Sequence, residues 1–317
     1  MKLSFVCPCY NEAKNINPFI ELVIQSFPIY SEYELIFVND GSTDNTFDAL
    51  KEAKRTYPCN ITIVNFSRNF GKEAAIYAGL QHSCGELISI IDTDLQQEPS
   101  TVLQMVKMLD ATPELDCVCA YQKSRSESKF STFCKSAFYK IADKYTEISF
   151  KNGASDFRTF RKSVKDAILS MGEYHRFSKG LFSWVGFNTE YIEYVAKERQ
   201  NGKSSFNFFK LLKYGLNGII SFSTAPLKFA SVVGSVAIFF SVIYTIITVI
   251  RKLVNDIAVD GFAQLIILIA FLGGIQLFTI GIIGEYLAKN YIETKRRPIY
   301  IAKEVITYKN DIDNLIN

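Results

Sequence analysis

Two aspartates that end an apolar run are the first residues whose types and spacing suggest chemistry. The run ELISIID stops at Asp92, and Asp94 follows two positions later. Two carboxylates this close repel each other unless a cation, hydrogen-bond donors or open solvent compensates their charge. Hard cations such as Mg²⁺ and Mn²⁺ bind carboxylate oxygens, and bound Mg²⁺ often also contacts the phosphates of a substrate. The pair is therefore a candidate site for Mg²⁺ or Mn²⁺ and a diphosphate, with a strand end followed by an aspartate helix cap as the alternative.

Alternating strands and helices must position this pair. Strand-like runs occupy residues 3–10, 33–40, 60–67, 86–92 and 116–121, and helix-like segments occupy residues 15–27, 44–56, 71–83 and 99–111. This alternation is typical of βαβ units and predicts an α/β fold with a doubly wound, mainly parallel sheet. Ligands of such sheets bind at the carboxyl ends of the strands.

Polar residues follow four of the predicted strands, so we expect them to meet at one edge of the sheet. Among them, Asp40 is suited to accept hydrogen bonds from a uracil edge or a ribose. The polar residues at the four strand ends are Tyr10, Asn11, Glu12, Asn39, Asp40, Gly41, Ser42, Ser67, Arg68, Asn69, Asp92 and Asp94.

The sequence gives little support for a glycine-rich phosphate-binding loop, for nucleophilic catalysis with histidine or for a cysteine metal site. The first strand is followed by neither of the two glycine-rich phosphate-binding motifs, and the only histidines, His82 and His175, accompany no nucleophile motif. We interpret the seven cysteines as reduced core residues, with metal binding by the two C-x-C pairs as the alternative. The amino terminus has too few apolar residues for a signal peptide, so we expect this domain in the cytosol.

Two long apolar segments follow Pro226. No charged residue occurs from Phe229 to Ile250 or from Gly261 to Gly284, and about 20 residues cross a bilayer core of about 30 Å. Transmembrane helices are predicted at about 229–250 and 262–284. More basic residues follow the second helix than lie between the two, which predicts a hairpin with both ends in the cytosol.

The chain is predicted to be a multi-pass protein of the cell membrane with a cytoplasmic catalytic domain. The expected division is a cytosolic catalytic domain at 1–204, interfacial juxtamembrane helices at 205–226, the transmembrane hairpin at 227–288 and a cytosolic tail at 289–317.

Motifs along nearly the whole chain resemble those of a known family. They are CPCYNE, FVNDGSTDNT, FSRNFGKEAA, IIDTDLQ, SDFRTF, FSKGLFSWVGF, ISFSTAPLK and GIIGEYLAK. In this order they closely resemble the polyprenyl-phosphate glycosyltransferases of glycosyltransferase family two, a group that includes bactoprenol glucosyltransferases and dolichol-phosphate mannose synthase. The resemblance implies a GT-A fold and the inverting transfer of a sugar, from UDP-glucose or UDP-N-acetylglucosamine, to polyprenyl phosphate for cell-envelope glycan modification.

The resemblance also implies roles for individual residues. Asp94, Asp156 and Arg199 would be catalytic, and Asp92, Asp94 and Gln96 would hold the metal. The nucleotide and the sugar would be bound by Pro8, Tyr10, Asn11, Glu12, Asp40, Ser42, Arg68, Lys72, Asp92, Gln96 and Ser204.

Three positions depart from the family pattern. In RQNGKSSF, Ser205 stands where the family has lysine, and Lys203 is the candidate substitute. Many relatives have acids where this chain has Asn39 and Gln97. We therefore assign the nucleoside contact to Asp40 rather than to Asn39 and leave Gln97 out of the site.

Asp156 admits three interpretations. A phosphate acceptor, with a second pKa of about 6, is largely dianionic at neutral pH and needs no general base, so we expect Asp156 to orient the sugar or the acceptor. The alternatives are a general base and a structural carboxylate paired with Arg158 or Arg161.

Alternative functions are a membrane polysaccharide synthase, another family-two glycosyltransferase with a sugar acceptor, and an inactive membrane scaffold. The chain lacks the Gln-x-x-Arg-Trp motif usual in polysaccharide synthases. Predicted partners are a nucleotide sugar, a polyprenyl phosphate and the membrane, with a homo-oligomer, a flippase and a downstream glycosyltransferase as further candidates. No nucleic acid partner is predicted.

Overall fold

A computed structural model describes residues 2–29, 32–122, 154–195, 223–255 and 261–307. The predicted site residues Arg199 and Ser204 lie outside these ranges, as do Lys203, Ser205 and most of the predicted juxtamembrane segment.

The described strands form one mixed sheet. They are β1 (Leu3–Cys9), β2 (Tyr33–Asn39), β3 (Asn60–Phe66), β4 (Leu87–Ile90), β5 (Cys117–Gln122), β6 (Ala154–Arg161), β7 (Thr189–Tyr194) and β8 (Ala302–Ile306). Their order across the sheet is β7-β5-β6-β4-β1-β2-β3-β8. β1 pairs in parallel with β2 and β4, β2 with β3, and β5 with β7, whereas β6 and β8 are antiparallel to their neighbours.

Helices cover both faces of this sheet. They are α1 (Ile16–Ser26), α2 (Thr46–Thr56), α3 (Lys72–His82), α4 (Pro99–Ala111), α5 (Lys162–Ser170) and α6 (Ser178–Trp184). Successive strand residues point to opposite faces, so Phe5 and Phe37 pack with α1, α2 and α4, while Val6 and Ile36 pack with α3, α5 and α6. The five predicted strands and four predicted helices are all present, with boundaries within two residues of those expected.

The carboxyl-terminal segment extends the sheet. Residues 289–317 are predicted to form a cytosolic tail, and the structure shows that this segment also contributes a strand, because β8 lies antiparallel to β3, with Ile306 opposite Ile63. The ring of Tyr300 also stacks on Phe66, with centroids 4.8 Å apart. Without β8, the main-chain groups on the outer side of β3 would have no strand partner in the described sheet. A strand that follows the second apolar helix therefore covers this edge.

Two long apolar helices, α7 (Ala225–Asn255) and α8 (Phe262–Thr294), precede β8. The segments 225–250 and 271–294 are long and apolar enough to cross a membrane, by length and composition, and neither is buried by the rest of the chain. The second helix continues ten residues beyond its predicted end at residue 284. It therefore reaches the basic segment that leads to β8.

Candidate active site

The register of the sheet aligns the ends of three strands. Cys9 of β1 is paired with Asn39 of β2, and Asn39 is paired in turn with Asn65 of β3. β4 runs parallel to β1, with Ile90 beside Val6. The loops that begin at residues 10, 40, 67 and 91 therefore leave the sheet at one edge, as the sequence predicts.

A network of hydrogen bonds links the loops after β1 and β2 to the carboxyl ends of β2 and β3. The backbone N–H of Asn11 donates to Ser42 Oγ at 2.9 Å, and this hydroxyl donates to Asn39 Oδ1 at 2.5 Å. Asn39 Nδ2 then donates to Asn65 Oδ1 at 2.8 Å. Asn11 has a φ of 58°, a left-handed conformation that asparagine tolerates better than most residues. These hydrogen bonds hold the predicted nucleoside-binding edge of the sheet in one conformation.

The other residues predicted for the nucleoside pocket lie at the end of β1 or just after β1 and β3. Tyr10 is 47% exposed, so its ring is accessible to a ligand, and Pro8 is half-buried. The backbone N–H of Glu12 donates to Thr46 Oγ1 at 2.9 Å, and its carboxylate accepts a bond from Asn15 Nδ2. The guanidinium of Arg68 lies 4.0 Å from the ring centroid of Phe70.

Asp40 organises the loop after β3. It is buried, and its carboxylate accepts the backbone N–H groups of Phe70 at 2.6 Å and Gly71 at 3.0 Å. Burial raises the pKa of Asp40 to about 6, although these two bonds and the charge of Arg68 act in the opposite direction. This loop-holding role was not predicted, and the contact of Asp40 with the nucleoside stays a prediction.

Lys72 joins two of the predicted acids. Its ammonium lies within 2.8 Å of both oxygens of Asp92 and 3.3 Å from Asp156 Oδ2. Burial alone would lower the pKa of Lys72, but attraction by Asp92 and Asp156 outweighs burial and raises it well above the ordinary value. The structure shows that Lys72 compensates part of the negative charge of the acid cluster, Asp92 and Asp156, whereas its predicted position near the nucleoside stays a prediction.

Asp156 is held ionised by its surroundings. Burial would raise its pKa, but the charges of Lys72, Lys179 and Arg158 outweigh burial and hold the pKa at about 2. Its Oδ1 atom accepts no hydrogen bond within the described part of the chain. The ion pair of Asp156 is with Lys72 rather than with Arg158 or Arg161, whose guanidiniums donate to backbone carbonyls.

The neighbour of Lys72 on α3 positions α6. Glu73 Oε2 accepts hydrogen bonds from both the backbone N–H and the hydroxyl of Ser178, the first residue of α6. Because Lys179 follows Ser178 directly, this contact places its charge near Asp156. Glu73 and Lys179 had no predicted role, since nothing in the spacing of residues 73 and 179 links them to the acid pair.

Gln97 is a further residue that the sequence analysis left out. Gln97 Oε1 accepts the backbone N–H of Asp92 at 2.9 Å, and Gln97 Nε2 donates to Asp92 Oδ2 at 3.1 Å. Asp94 is 9% exposed, and its Oδ1 atom accepts the backbone N–H of Gln96 at 3.2 Å. The intervening Leu95 has a φ of 62°. The amide side chain of Gln97, only five residues after Asp92, was the signal in the sequence that could have indicated this contact.

Asp92 and Asp94 are the candidate metal ligands among the described residues. The described residues contain no group of three or more His, Cys, Asp or Glu side chains that could hold one. Asp92 and Asp94 supply the hard oxygen donors that Mg²⁺ and Mn²⁺ prefer, and such ions commonly complete their shell with water and substrate phosphate. The donor set therefore fits a divalent ion that binds together with a diphosphate. In the C-x-C pairs, burial raises the pKa values of the Cys7, Cys9 and Cys117 thiols, which disfavours their thiolate forms when no metal is bound.

The polar edge with its acid pair lies at the carboxyl ends of parallel strands, in a sheet with helices on both faces, which is where folds of this class bind their ligands. Comparison of the chain with known families agrees. Residues 4–169 match the model of glycosyl transferase family 2, and residues 225–289 match the GtrB C-terminal hairpin. The chain therefore belongs to glycosyl transferase family 2, and the predicted family, fold class and glycosyltransferase activity are confirmed.

Relatives match over nearly the full chain. A prophage bactoprenol glucosyl transferase homolog of Escherichia coli (strain K12) is 38% identical over 96% of this chain and 99% of its own length. A bactoprenol glucosyl transferase of Shigella phage SfV is 37% identical over 96% of this chain and 98% of its own length. An uncharacterized glycosyltransferase of Synechocystis sp. (strain ATCC 27184 / PCC 6803 / Kazusa) is 38% identical over 96% of both chains.

Proposed function

We propose that this protein transfers glucose from UDP-glucose to a membrane polyprenyl phosphate with inversion at the anomeric carbon. The observation that carries the proposal is the position of Asp156, an ionised carboxylate that shares Lys72 with Asp92, in a chain with two long apolar helices. Relatives named as bactoprenol glucosyl transferases favour glucose over N-acetylglucosamine and polyprenyl phosphate as the acceptor.

The proposed reaction is a single displacement. An oxygen of the acceptor phosphate attacks the anomeric carbon, the bond from that carbon to the diphosphate breaks, and the nucleoside diphosphate leaves with the electron pair. When bound, a divalent ion on Asp92 and Asp94, with Gln96 as a predicted further ligand, would neutralise charge on the leaving diphosphate. The proposed role of Tyr10, Asn11 and Ser42 is to hold the nucleoside at the other end of the edge.

The pKa of Asp156 supports an orienting role. A carboxylate with a pKa of about 2 is a weak base, whereas a phosphate monoester is already largely ionised at neutral pH and can attack without losing a proton. Transfer to a sugar hydroxyl would need a stronger base. This difference disfavours the second candidate function, a polysaccharide synthase or another glycosyltransferase with a sugar acceptor.

The proposed topology places α7 and α8 across the membrane and the catalytic domain in the cytoplasm. Two contacts support it: β8, which follows α8, pairs with β3 of the catalytic domain, and Glu293 at the end of α8 accepts the backbone N–H of Tyr174. A third contact, from the hydroxyl of Tyr286 on α8 to the carbonyl of Ser223 just before α7, supports placing the start of α7 on that side as well. A reporter fused at Ala258, outside the described residues, should be found on the opposite side of the membrane, and a cytosolic reporter there would contradict the topology.

The decisive experiment incubates the full chain with undecaprenyl phosphate and a panel of UDP-sugars. We expect a hexosyl lipid from UDP-glucose, detected by its mass, and much less product from UDP-N-acetylglucosamine. Hydrolysis of the nucleotide sugar without lipid product, or product only with a sugar acceptor, would contradict the proposal. The predicted oligomer, flippase and downstream transferase stay predictions.

A further inference from the structure

An open pocket lies where α8 meets the catalytic domain. Its volume is about 540 Å³, and its wall combines residues of α3, the loop after α5, the end of α8 and the segment that leads to β8. The residues that matter here are Tyr77, Gln81, Tyr174, Glu293, Arg296 and Arg297. Tyr77 and Gln81 lie five and nine residues after Lys72 on α3, about 7 and 13 Å along the helix axis, and neither Lys72 nor Asp92 nor Asp156 lines the pocket.

Two guanidiniums of this pocket lack an acidic partner. Arg296 and Arg297 are exposed, and neither forms an ion pair within the described ranges. The carboxylate in the wall, Glu293, already accepts the backbone N–H groups of Tyr174 at 2.9 Å and His175 at 3.3 Å. Two guanidiniums without an acidic partner, beside one carboxylate that is already hydrogen-bonded, favour the binding of an anion. The planar guanidinium group also matches the arrangement of phosphate oxygens.

The backbone of Arg296 is a second, independent observation. It has a φ of 46°, and its N–H donates to the carbonyl of Glu293 at 3.0 Å. This is the position just after a helix end at which glycine is usual, because glycine has no Cβ to oppose the left-handed conformation. An arginine at this position carries a backbone strain, and such strain is common where the side chain has a function.

The position of the pocket indicates the source of the anion. Arg296 and Arg297 follow Thr294, the last residue of α8, by two and three positions. If α8 crosses the membrane over residues 271–294, these arginines lie just outside the apolar span, at the depth of the lipid headgroups. Basic residues just outside a transmembrane helix commonly contact anionic headgroups.

We propose that this pocket binds the phosphate of an anionic phospholipid headgroup. Such a lipid would be distinct from the polyprenyl phosphate acceptor. It would fix the end of α8 against the loop of Tyr174 and His175, which leads directly into α6 and Lys179. The inference rests on the proposed membrane insertion of α8 but not on the identity of the sugar or of the acceptor.

The test uses the full chain in micelles of a neutral maltoside detergent. Native mass spectrometry measures the affinity for dioleoyl phosphatidylglycerol, with dioleoyl phosphatidylcholine and inorganic phosphate as the comparison ligands. We expect a preference for phosphatidylglycerol, and a loss of about fivefold in its affinity for Arg297→Gln, because one cationic contact near the headgroup is removed. The control is Lys295→Gln, which makes the same charge change at an exposed residue that contacts Tyr291 and not the pocket. Its effect should be below about twofold.

A second variant separates binding from folding. Arg296→Gly relieves the left-handed strain, so its thermal midpoint should equal or exceed that of the unaltered chain while its affinity for phosphatidylglycerol falls about fivefold. Equal losses for Lys295→Gln and Arg297→Gln would overturn the proposal, because net charge would then explain the binding. Displacement of phosphatidylglycerol by inorganic phosphate at equal concentration would also overturn it.

Transfer assays distinguish a failure of this inference from a failure of the proposed function. In Arg297→Gln, a higher KM for polyprenyl phosphate with unchanged phosphatidylglycerol affinity would overturn the inference, because the pocket would then hold the acceptor. Absence of transfer by the unaltered chain would refute the proposed function alone. Loss of the preference for phosphatidylglycerol with intact transfer would refute the inference alone.

Discussion

Gln97 and Asp92 are joined by two hydrogen bonds that close a ring. The backbone N–H of Asp92 donates to Gln97 Oε1 at 2.9 Å, and Gln97 Nε2 donates to Asp92 Oδ2 at 3.1 Å. Only a side chain that both accepts and donates can make this pair of bonds, which an ionised acid cannot do. The amide therefore fixes the carboxylate that we propose as a metal ligand, and Gln97 is a positioning residue.

The first prediction concerns this ring. Gln97→Leu keeps the size of the side chain but removes both bonds, and a buried group left without its partner costs about 1–3 kcal/mol. We expect transfer to fall about tenfold and the affinity for UDP to fall when Mg²⁺ is present. Isothermal titration with UDP, in Mg²⁺ and in EDTA, measures the effect. Gln104→Leu, at an exposed position of α4, is the control, and an unchanged affinity in Gln97→Leu would contradict the role of Gln97.

The second prediction concerns the proposed metal ligands. Asp94→Ala should abolish transfer and weaken UDP binding only when Mg²⁺ or Mn²⁺ is present, because the lost carboxylate acts through the ion. UDP affinity with and without the ion distinguishes this from general damage to the pocket. Full transfer by the unaltered chain in EDTA would refute metal dependence.

The third prediction concerns the pair of Lys72 and Asp156. The pKa of Asp156 is about 2 in the folded chain and near 3.8 without the fold, so its ionised form stabilises the fold above about pH 4. This stabilisation is lost as the pH falls from about 4 to about 2. In Lys72→Met the main attraction is gone and burial raises the pKa of Asp156, so we expect a lower thermal midpoint at pH 7 and a smaller fall on acidification.

Thermal midpoints between pH 2 and pH 7 test this expectation. Lys107→Met, at an exposed position of α4, should follow the unaltered chain throughout. If Lys72→Met shows the same acid-dependent fall as the unaltered chain, Lys72 is not the group that holds Asp156 ionised.

The fourth prediction separates the two catalytic roles of Asp156. Asp156→Asn should lower kcat, because the orienting charge is lost, but the acid limb of the pH profile should remain near the pKa of the lipid phosphate, about 6. The profile of kcat/KM for polyprenyl phosphate measures this. Disappearance of the acid limb would identify Asp156 as the general base.

The fifth prediction concerns β8. A chain that ends after Pro298 lacks the strand that covers β3 and should have a lower thermal midpoint than a chain that ends after Thr307, which keeps it. Each lost main-chain hydrogen bond contributes about 1 kcal/mol. Equal midpoints would show that β8 adds no stability. For the same reason, removal of everything after Ser221 should destabilise the catalytic domain, although the predicted nucleoside edge lies wholly before that residue.

The sequence alone determined the elements of the first 121 residues, the edge at which their polar residues meet, the family and the two apolar helices. These features follow from local patterns: periodicity fixes each element, and parallel βαβ units bring consecutive strand ends together. The positions of Asn11, Asp40 and Ser42 at one edge could therefore be predicted from residues close to each strand.

The tertiary structure decided the contacts between residues far apart in the chain. Lys72 meets Asp156 across 84 positions, Glu73 meets Ser178 across 105, and β8 pairs with β3 from beyond the hairpin. Local sequence patterns do not predict these contacts, because each contact depends on the order of the strands in the sheet and on the face of the sheet against which each helix packs. Even the nearby contact of Gln97 with Asp92 depends on the left-handed turn at Leu95, and the sequence does not predict this turn because Leu95 is not glycine.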